Sequence, residues 1–351
     1  MKKVTFLLPF IGPIPHSGGA RTILRIVNFL MKKYSISIEI CPDKLKELSE
    51  DEEKKTIRNF KVRLLRYKEI SKANIELLNI VTSENNTSSD IYIATGWQTF
   101  EKTKYYRKKN KRVAFFCQDL EWKFKVVKQR KIEELVKSFY DIEMPTFTMS
   151  KFLENYFKDQ RFLKSTSLNV DTDIYYNQSH ERDGVCLYYN PIKIHRLPKL
   201  VLKLAESLAK RYPKKTISLY GSTNIPDLEL KNIKYLDTLS KEQLASLYNR
   251  SELGVIFSTS NPSRIAYEMV ACGTPSIEAD CEYTNYDMDS NAFIRIDPEY
   301  DTVISKIEGL LNNPKKMKRL RAECEIYSKN NFHELTEEKR FFNFINKLLI
   351  N

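Results

Sequence analysis

The chain has 351 residues, 42% of them hydrophobic, and a formal net charge of +13. That length allows two domains with real cores, and no window approaches the ~18 uninterrupted apolar residues of a membrane-spanning helix. The charge is lopsided: residues 1–165 carry 33 Lys and Arg against 20 Asp and Glu, whereas residues 166–351 carry 25 of each. The six cysteines (Cys41, Cys117, Cys186, Cys272, Cys281 and Cys324) form no C-x-x-C pair, and several lie in strand-like apolar runs. This argues against a disulfide framework or zinc site and for reduced, buried cytosolic thiols.

The opening MKKVTFLLPFIGPIPHSGG mimics a signal peptide, but its apolar run is short, Pro and Gly follow, and no small-x-small cleavage site appears. It reads as a first strand, KVTFLLPF, entering a loop. ARTILRIVNFLMKK then sets Ile23, Ile26, Val27 and Leu30 on one helical face. SISIEIC, DIYIATG, RVAFFCQD and the short TFTMS follow as strands. The rhythm restarts after residue 180: strand GVCLYYN, helix LPKLVLKLAESLAKRY, strands KTISLYGS and IKYLD, helix SKEQLASLYNRS, strand LGVIFST, and later helices TVISKIEGLLNN and PKKMKRLRAECEIYSKN. Repeated βαβ alternation predicts parallel sheets covered by helices, with ligands at the carboxyl ends of the strands. LNVDTDIYYN joins the two halves.

The basic excess is densest in KTKYYRKKNKR (102–112) and KFKVVKQRK (123–131). It reads either as solvated surface or as a face for anionic lipid, where each basic residue adds about 1 kcal/mol. Tyr105 and Tyr106 suit a membrane interface as well as base stacking. Nucleic acid is not expected as a partner, since no module directs the charge toward it.

Three loops offer chemistry. In IGPIPHSGGART, Gly18 and Gly19 precede a helix, where backbone N–H groups can meet an anion; the same pair also makes a plain turn. In YYNPIKIHRLPK, Lys193, His195 and Arg196 lie after a strand, and Pro198 is a good first helical residue; the group suits a diphosphate or a solvated loop. In STSNPSRIAYEMVACGTPSIEAD, Ser260, Asn261 and Ser263 are capping types, so a helix begins near Ser263 or Arg264, with free N–H groups facing outward. Glu268 sits one turn in, costly to bury without donors, and reads either as a wet-face charge or as a ligand for hydroxyls. No H-E-x-x-H, EF-hand loop, G-x-S-x-G, D-x-D or local carboxylate pair occurs, and the four histidines do not cluster, so no metal is expected.

In this order, the loops resemble those of GT-B glycosyltransferases. YEMVACGTPSI is similar to the end of the E-x7-E signature of glycosyltransferase family 4, and NVDTDIYY to its interdomain segment. GGARTILR (18–25), TGWQT (95–99), FFCQD (115–119) and YYNPIKIHR resemble motifs of bacterial rhamnosyltransferases that build surface polysaccharides. The resemblance implies two Rossmann-like doubly wound domains facing each other across a cleft: residues 1–168 on the acceptor side, a linker over 169–180, a nucleotide-sugar-binding domain over 181–332, and a helix over 333–351 crossing back.

It further implies transfer of a sugar, rhamnose as the first expectation, from a dTDP- or UDP-sugar to a growing lipid-linked cell-surface glycan. The expected reaction is retaining and needs no cofactor or metal. The enzyme would work in the cytoplasm, peripheral on the inner face of the plasma membrane through its basic half. Glu268 would hold the ribose. Ser263, Arg264 and Ile265, with Lys193, His195, Arg196 and Ser222, would hold the diphosphate, and Gly18 and Gly19 would close on it. Trp97, Gln118 and Asp119 would line the sugar or acceptor pocket, and Asp119, Gln118 and His16 are candidate catalytic groups. Two departures stand out: Ser260 occupies the place of the first glutamate of E-x7-E, and Asn190 stands where the narrower group has Arg. A nucleotide-sugar epimerase and a non-catalytic nucleotide-sugar-binding protein are the alternatives on this fold.

Overall fold

A computed structural model describes the chain except residues 10–17, 42–48, 66, 68, 83–87, 124–129, 160–162, 167, 225–227, 260–261, 333–335 and 351. The backbone divides into two units, Met1–Ser167 with Leu335–Asn351, and Leu168–Glu334.

The first unit runs β1 (Lys3–Pro9), α1 (Gly18–Leu30), β2 (Ser35–Cys41), α2 (Glu50–Leu64), α3 (Lys72–Leu77), β3 (Asn79–Val81), β4 (Ile91–Ala94), α4 (Phe100–Lys108), β5 (Val113–Cys117), α5 (Arg130–Tyr140), β6 (Thr146–Thr148), α6 (Lys151–Tyr156) and β7 (Leu163–Ser165). Among the described residues its sheet has the order β3-β2-β1-β4-β5-β6-β7, and its strand pairs are parallel. Every residue of β4 and β5 is buried, as expected of parallel strands covered on both faces. The α1 face predicted from sequence is inward: Ile23, Ile26, Val27 and Leu30, with Leu24, are buried, each stabilising by roughly 1.5–3 kcal/mol.

The second unit runs β8 (Val185–Tyr188), α7 (Pro198–Arg211), β9 (Ile217–Tyr220), β10 (Ile233–Leu236), α8 (Lys241–Arg250), β11 (Leu253–Val255), α9 (Arg264–Ala271), β12 (Ser276–Ala279), α10 (Glu282–Asp287), β13 (Phe293–Ile296), α11 (Tyr300–Leu311) and α12 (Pro314–Asn331). Its parallel sheet has the order β10-β9-β8-β11-β12-β13, that of a dinucleotide-type doubly wound domain. Pro198 opens α7, and Ser240 with Gln243 forms a capping box on α8. Gly184 lies at φ 72°, where a Cβ would stand 1.7 Å from the Thr216 carbonyl oxygen, so only glycine fits before β8.

The segment 169–180 folds onto the second unit. Asn249 accepts from the Gln178 N–H (2.8 Å) and donates to the Tyr176 carbonyl (3.0 Å). Arg182 then bonds the Tyr248, Ser251 and Cys272 carbonyls, the Thr274 hydroxyl and the Asn177 side chain. The last helix, α13 (Thr336–Ile350), belongs to the first unit. Phe341 packs against Phe6, Phe116 and Phe147, and the buried carboxylates of Glu337 and Glu338 both pair with Arg25 of α1.

The basic run 102–112 is not uniformly a surface. Lys102 reaches the fully buried Glu39 of β2 at 3.0 Å. Tyr106 donates to the same carboxylate at 2.6 Å and stacks on Tyr92, so Tyr106 is core rather than an interface aromatic. Lys108, Lys109, Lys111 and Arg112 remain exposed. Most of the second run, 123–131, lies outside the described residues. No helix among the described residues is long and apolar enough to cross a membrane.

Candidate functional site

In a doubly wound sheet the order reverses at one place, and the loops leaving the two strands there diverge to open a crevice at their carboxyl ends. In the second unit that place lies between β8 and β11. The loop after β8 carries Lys193, His195 and Arg196, and the segment after β11 carries Ser258 and leads to α9. The fold therefore brings these two stretches, sixty residues apart in sequence, to one corner.

The loop after β8 is tightly held. Asn190 donates to the Gly221 carbonyl (3.2 Å) and accepts from the Ile192 N–H (3.1 Å), so it organises the loop instead of supplying charge. Leu197, at φ 50° and ψ 51°, is left-handed, a strained conformation for a non-glycine residue that marks loops over-determined by their surroundings. Lys193 donates to the Tyr188 hydroxyl at 3.2 Å. Arg196 donates to the Ser258 hydroxyl, and Thr259 donates to the His195 carbonyl at 3.3 Å. Burial, followed by the Arg196 and Lys193 charges, drives His195 down to about 4, so the imidazole is neutral near pH 7.

The helix α9 begins at Arg264, with Ser263 as its cap accepting from the Ile265 N–H at 3.3 Å. That N–H is thus engaged by the protein's own cap, and the Arg264 guanidinium donates to the Asn169 carbonyl. Glu268 is half-buried, and its negative charge helps raise Tyr220, Tyr248 and Cys272. Ser222 closes its own turn, accepting from the Asn224 N–H at 3.1 Å. Ser260 lies outside the described residues.

Sequence reasoning passed over Glu278 of β12. It is wholly buried, accepting from the Ser258 hydroxyl (3.1 Å) and the Ala279 N–H (3.2 Å). Burial pushes its carboxyl up to about 8, against the opposing pull of Arg196. A signal was available: a carboxylate inside an apolar strand must find donors.

The first unit has its own cluster of strand-end residues, where the switch point lies between β1 and β4. Gly18 and Gly19 open α1. A Cβ on Gly19 would stand 3.4 Å from the Gln118 amide, so the residue after β5 lies on the start of α1. Trp97 follows β4 and donates its backbone N–H to the Glu121 carboxylate at 2.8 Å. Tyr140 donates to the Asp119 carbonyl (2.7 Å) and contacts the Glu121 carboxylate at 3.2 Å. Asp119 folds back to accept from the Leu120 N–H at 2.8 Å. Glu121, also missed from sequence, is pushed up to about 7, first by burial and then by Asp119, against the Trp97 and Tyr140 hydrogen bonds. His16 lies outside the described residues.

Residues 184–308 match the family described as WsaF, C-terminal domain. No curated protein sequence matches the chain. Among solved structures, HepE of Anabaena in complex with UDP superposes with a TM-score of 0.72 at 11% identity, covering 99% of this chain and 100% of that one. The same protein with UDP-glucose gives 0.70 at 12% identity. WaaG, a glycosyltransferase involved in lipopolysaccharide biosynthesis, gives 0.62 at 11% identity, covering 96% of this chain and 98% of WaaG. A Listeria monocytogenes protein described as a putative UDP-N-acetylglucosamine 2-epimerase gives 0.60 at 12% identity, with 98% and 96% covered. The chain therefore has the GT-B fold of glycosyltransferases, with a second unit that matches the C-terminal domain of WsaF.

Proposed function

We propose that the chain is a glycosyltransferase that binds a nucleotide-sugar through its second unit and moves the sugar to a growing cell-surface glycan. The observation that carries this reading is the corner at the β8/β11 switch point. Arg196 and Lys193 supply positive charge there, His195 stays neutral, and the capped start of α9 follows the same β11 connection. The match to the C-terminal domain of WsaF spans this corner, and HepE, of the same fold, was solved with UDP and UDP-glucose.

Such a reaction needs stabilisation of the departing nucleoside diphosphate. Fixed cations and helix dipoles supply it without reorganising at the moment of reaction. Arg196 and Lys193 bind the phosphates, and Glu268 accepts from the ribose hydroxyls. Trp97, Gln118 and Asp119, at strand ends of the first unit, line the sugar or acceptor side. A UDP- or dTDP-sugar, with rhamnose as the first sugar to try, a retaining outcome without metal, and a lipid-linked acceptor complete the reading. The exposed Lys108, Lys109, Lys111 and Arg112 support docking at the anionic inner face of the plasma membrane.

The test is a thermal-shift screen against UDP-, dTDP- and GDP-sugars, where ligand at ~100 Kd adds about 2.7 kcal/mol of stability. The expected result is a shift with one nucleotide class, weakened in Glu268→Ala. Equal binding and transfer by that variant would remove the ribose role. A second reading, a nucleotide-sugar epimerase, draws on the likeness to the Listeria protein and on Glu121, an acid–base group near 7. Epimerised sugar formed without any acceptor would decide for it.

A further inference from the structure

Among the residues of the second unit that the donor reading leaves unused, Glu278 has the most demanding position. It lies within β12, wholly buried, where a carboxylate needs donors. Ser258, also wholly buried, donates to it at 3.1 Å and accepts from Arg196. A hydroxyl can accept one hydrogen bond while donating another, so Arg196, Ser258 and Glu278 form one hydrogen-bonded chain. It runs from the partly exposed loop after β8 into the strand behind it.

We propose that Glu278 is a positioning residue for the donor diphosphate: through Ser258 it holds the Arg196 guanidinium in place, and it takes up a proton when the diphosphate engages Arg196. This rests on the reading of Arg196 as a diphosphate ligand. Among the described residues, the groups that face Glu278 are Arg196 from the loop after β8, Ser258 after β11, Tyr267 on α9 and Tyr283 on α10. Of these only Arg196 is positive.

Burial favours the neutral acid and Arg196 favours the carboxylate, and the balance falls at about 8. A nucleoside diphosphate on Arg196 cancels the positive charge that sustains the carboxylate, and the proton comes from solvent. His195, held down near 4, stays neutral throughout. At and above about pH 8 the chain thus sets a negative charge against Arg196 when the site is empty and withdraws it when the anion arrives.

The experiment is calorimetric titration of UDP into the full chain at pH 8 and pH 9, each in two buffers of different ionisation enthalpy. UDP is fully ionised over this range, since a terminal phosphate titrates near ~6, so its own protonation does not enter. Wild type should take up about half a proton per UDP at pH 8 and more at pH 9, with affinity falling by up to about tenfold over the next pH unit. Glu278→Gln should bind UDP with no uptake and no such fall.

UDP binding without proton uptake by wild type, or with the same uptake by Glu278→Gln, overturns the proposal and leaves the nucleotide reading standing. Absence of UDP binding by folded wild type overturns both. If Glu278→Gln does not fold, wild-type binding without uptake still overturns the proposal, and Glu278→Leu, apolar and of similar size, takes its place in the comparison.

Discussion

Replacing Glu278 by Gln tests the burial argument through stability alone, without any ligand. The carboxyl is wholly buried and is raised from 4.5 to about 8 by burial, with Arg196 opposing. The native state therefore keeps its proton to higher pH than the unfolded chain does. The stability tied to this group is fully present below pH 4.5 and is lost as pH rises through about 8. At about 1.4 kcal/mol per pH unit, the gap converts to on the order of 5 kcal/mol.

Glutamine mimics the neutral acid and has nothing to lose. Wild type and Glu278→Gln should coincide below pH 4.5 and separate above it, with the variant ahead at pH 9. For a domain of this size, about 1 kcal/mol moves Tm by about 2–4 °C, so thermal melts at matched pH should differ by roughly 10 °C or more. Parallel curves would refute the reasoning. Wild type ahead at pH 9 would mean that the pairing with Arg196 outweighs burial.

Two predictions concern the first unit. Arg25→Ala removes an ion-pair partner of Glu337 and Glu338, two buried carboxylates, and should destabilise the chain in urea denaturation, toward the roughly 3–5 kcal/mol of a broken buried pair; a loss under about 1 kcal/mol would show that the Arg25 pairing does not hold α13 in place. Trp122 is the next residue to Glu121 in the chain, and Trp97 donates its backbone N–H to the Glu121 carboxylate. Intrinsic fluorescence should therefore show a transition near pH 7 that is absent in Glu121→Gln.

What could be read from sequence was what repeats locally. Buried β-branched runs marked SISIEIC as β2 and VAFFC as β5, and the face Ile23, Ile26, Val27 and Leu30 marked α1. Capping chemistry placed the start of α9 at Ser263 and Arg264. The short strands β3 and β7, each of three residues, offer too few alternations to register, and β13 escaped as four residues between polar stretches.

Long-range partners were hidden. Lys102 and Tyr106, on helix α4, read as surface charge and interface aromatic because their partner, Glu39, lies on strand β2, more than sixty residues away. Asn190 looked like a lost cation, but it ties its loop to the Gly221 carbonyl. Glu278 was open to the reasoning applied to Glu268, an isolated carboxylate among apolar neighbours. What no pattern could supply was its link through Ser258 to Arg196, across loops that only the switch point brings together.

The central claim is that the β8/β11 corner binds the diphosphate of a nucleotide-sugar, and Arg196 is its most direct handle. A charge-assisted hydrogen bond to phosphate is worth about 1.5–3 kcal/mol. Calorimetric titration of UDP and dTDP into wild type and Arg196→Ala at pH 7 should therefore give binding by wild type and a loss of roughly 10- to 100-fold in the variant. Equal affinity in both proteins, or no binding of either nucleotide by folded wild type, would contradict it.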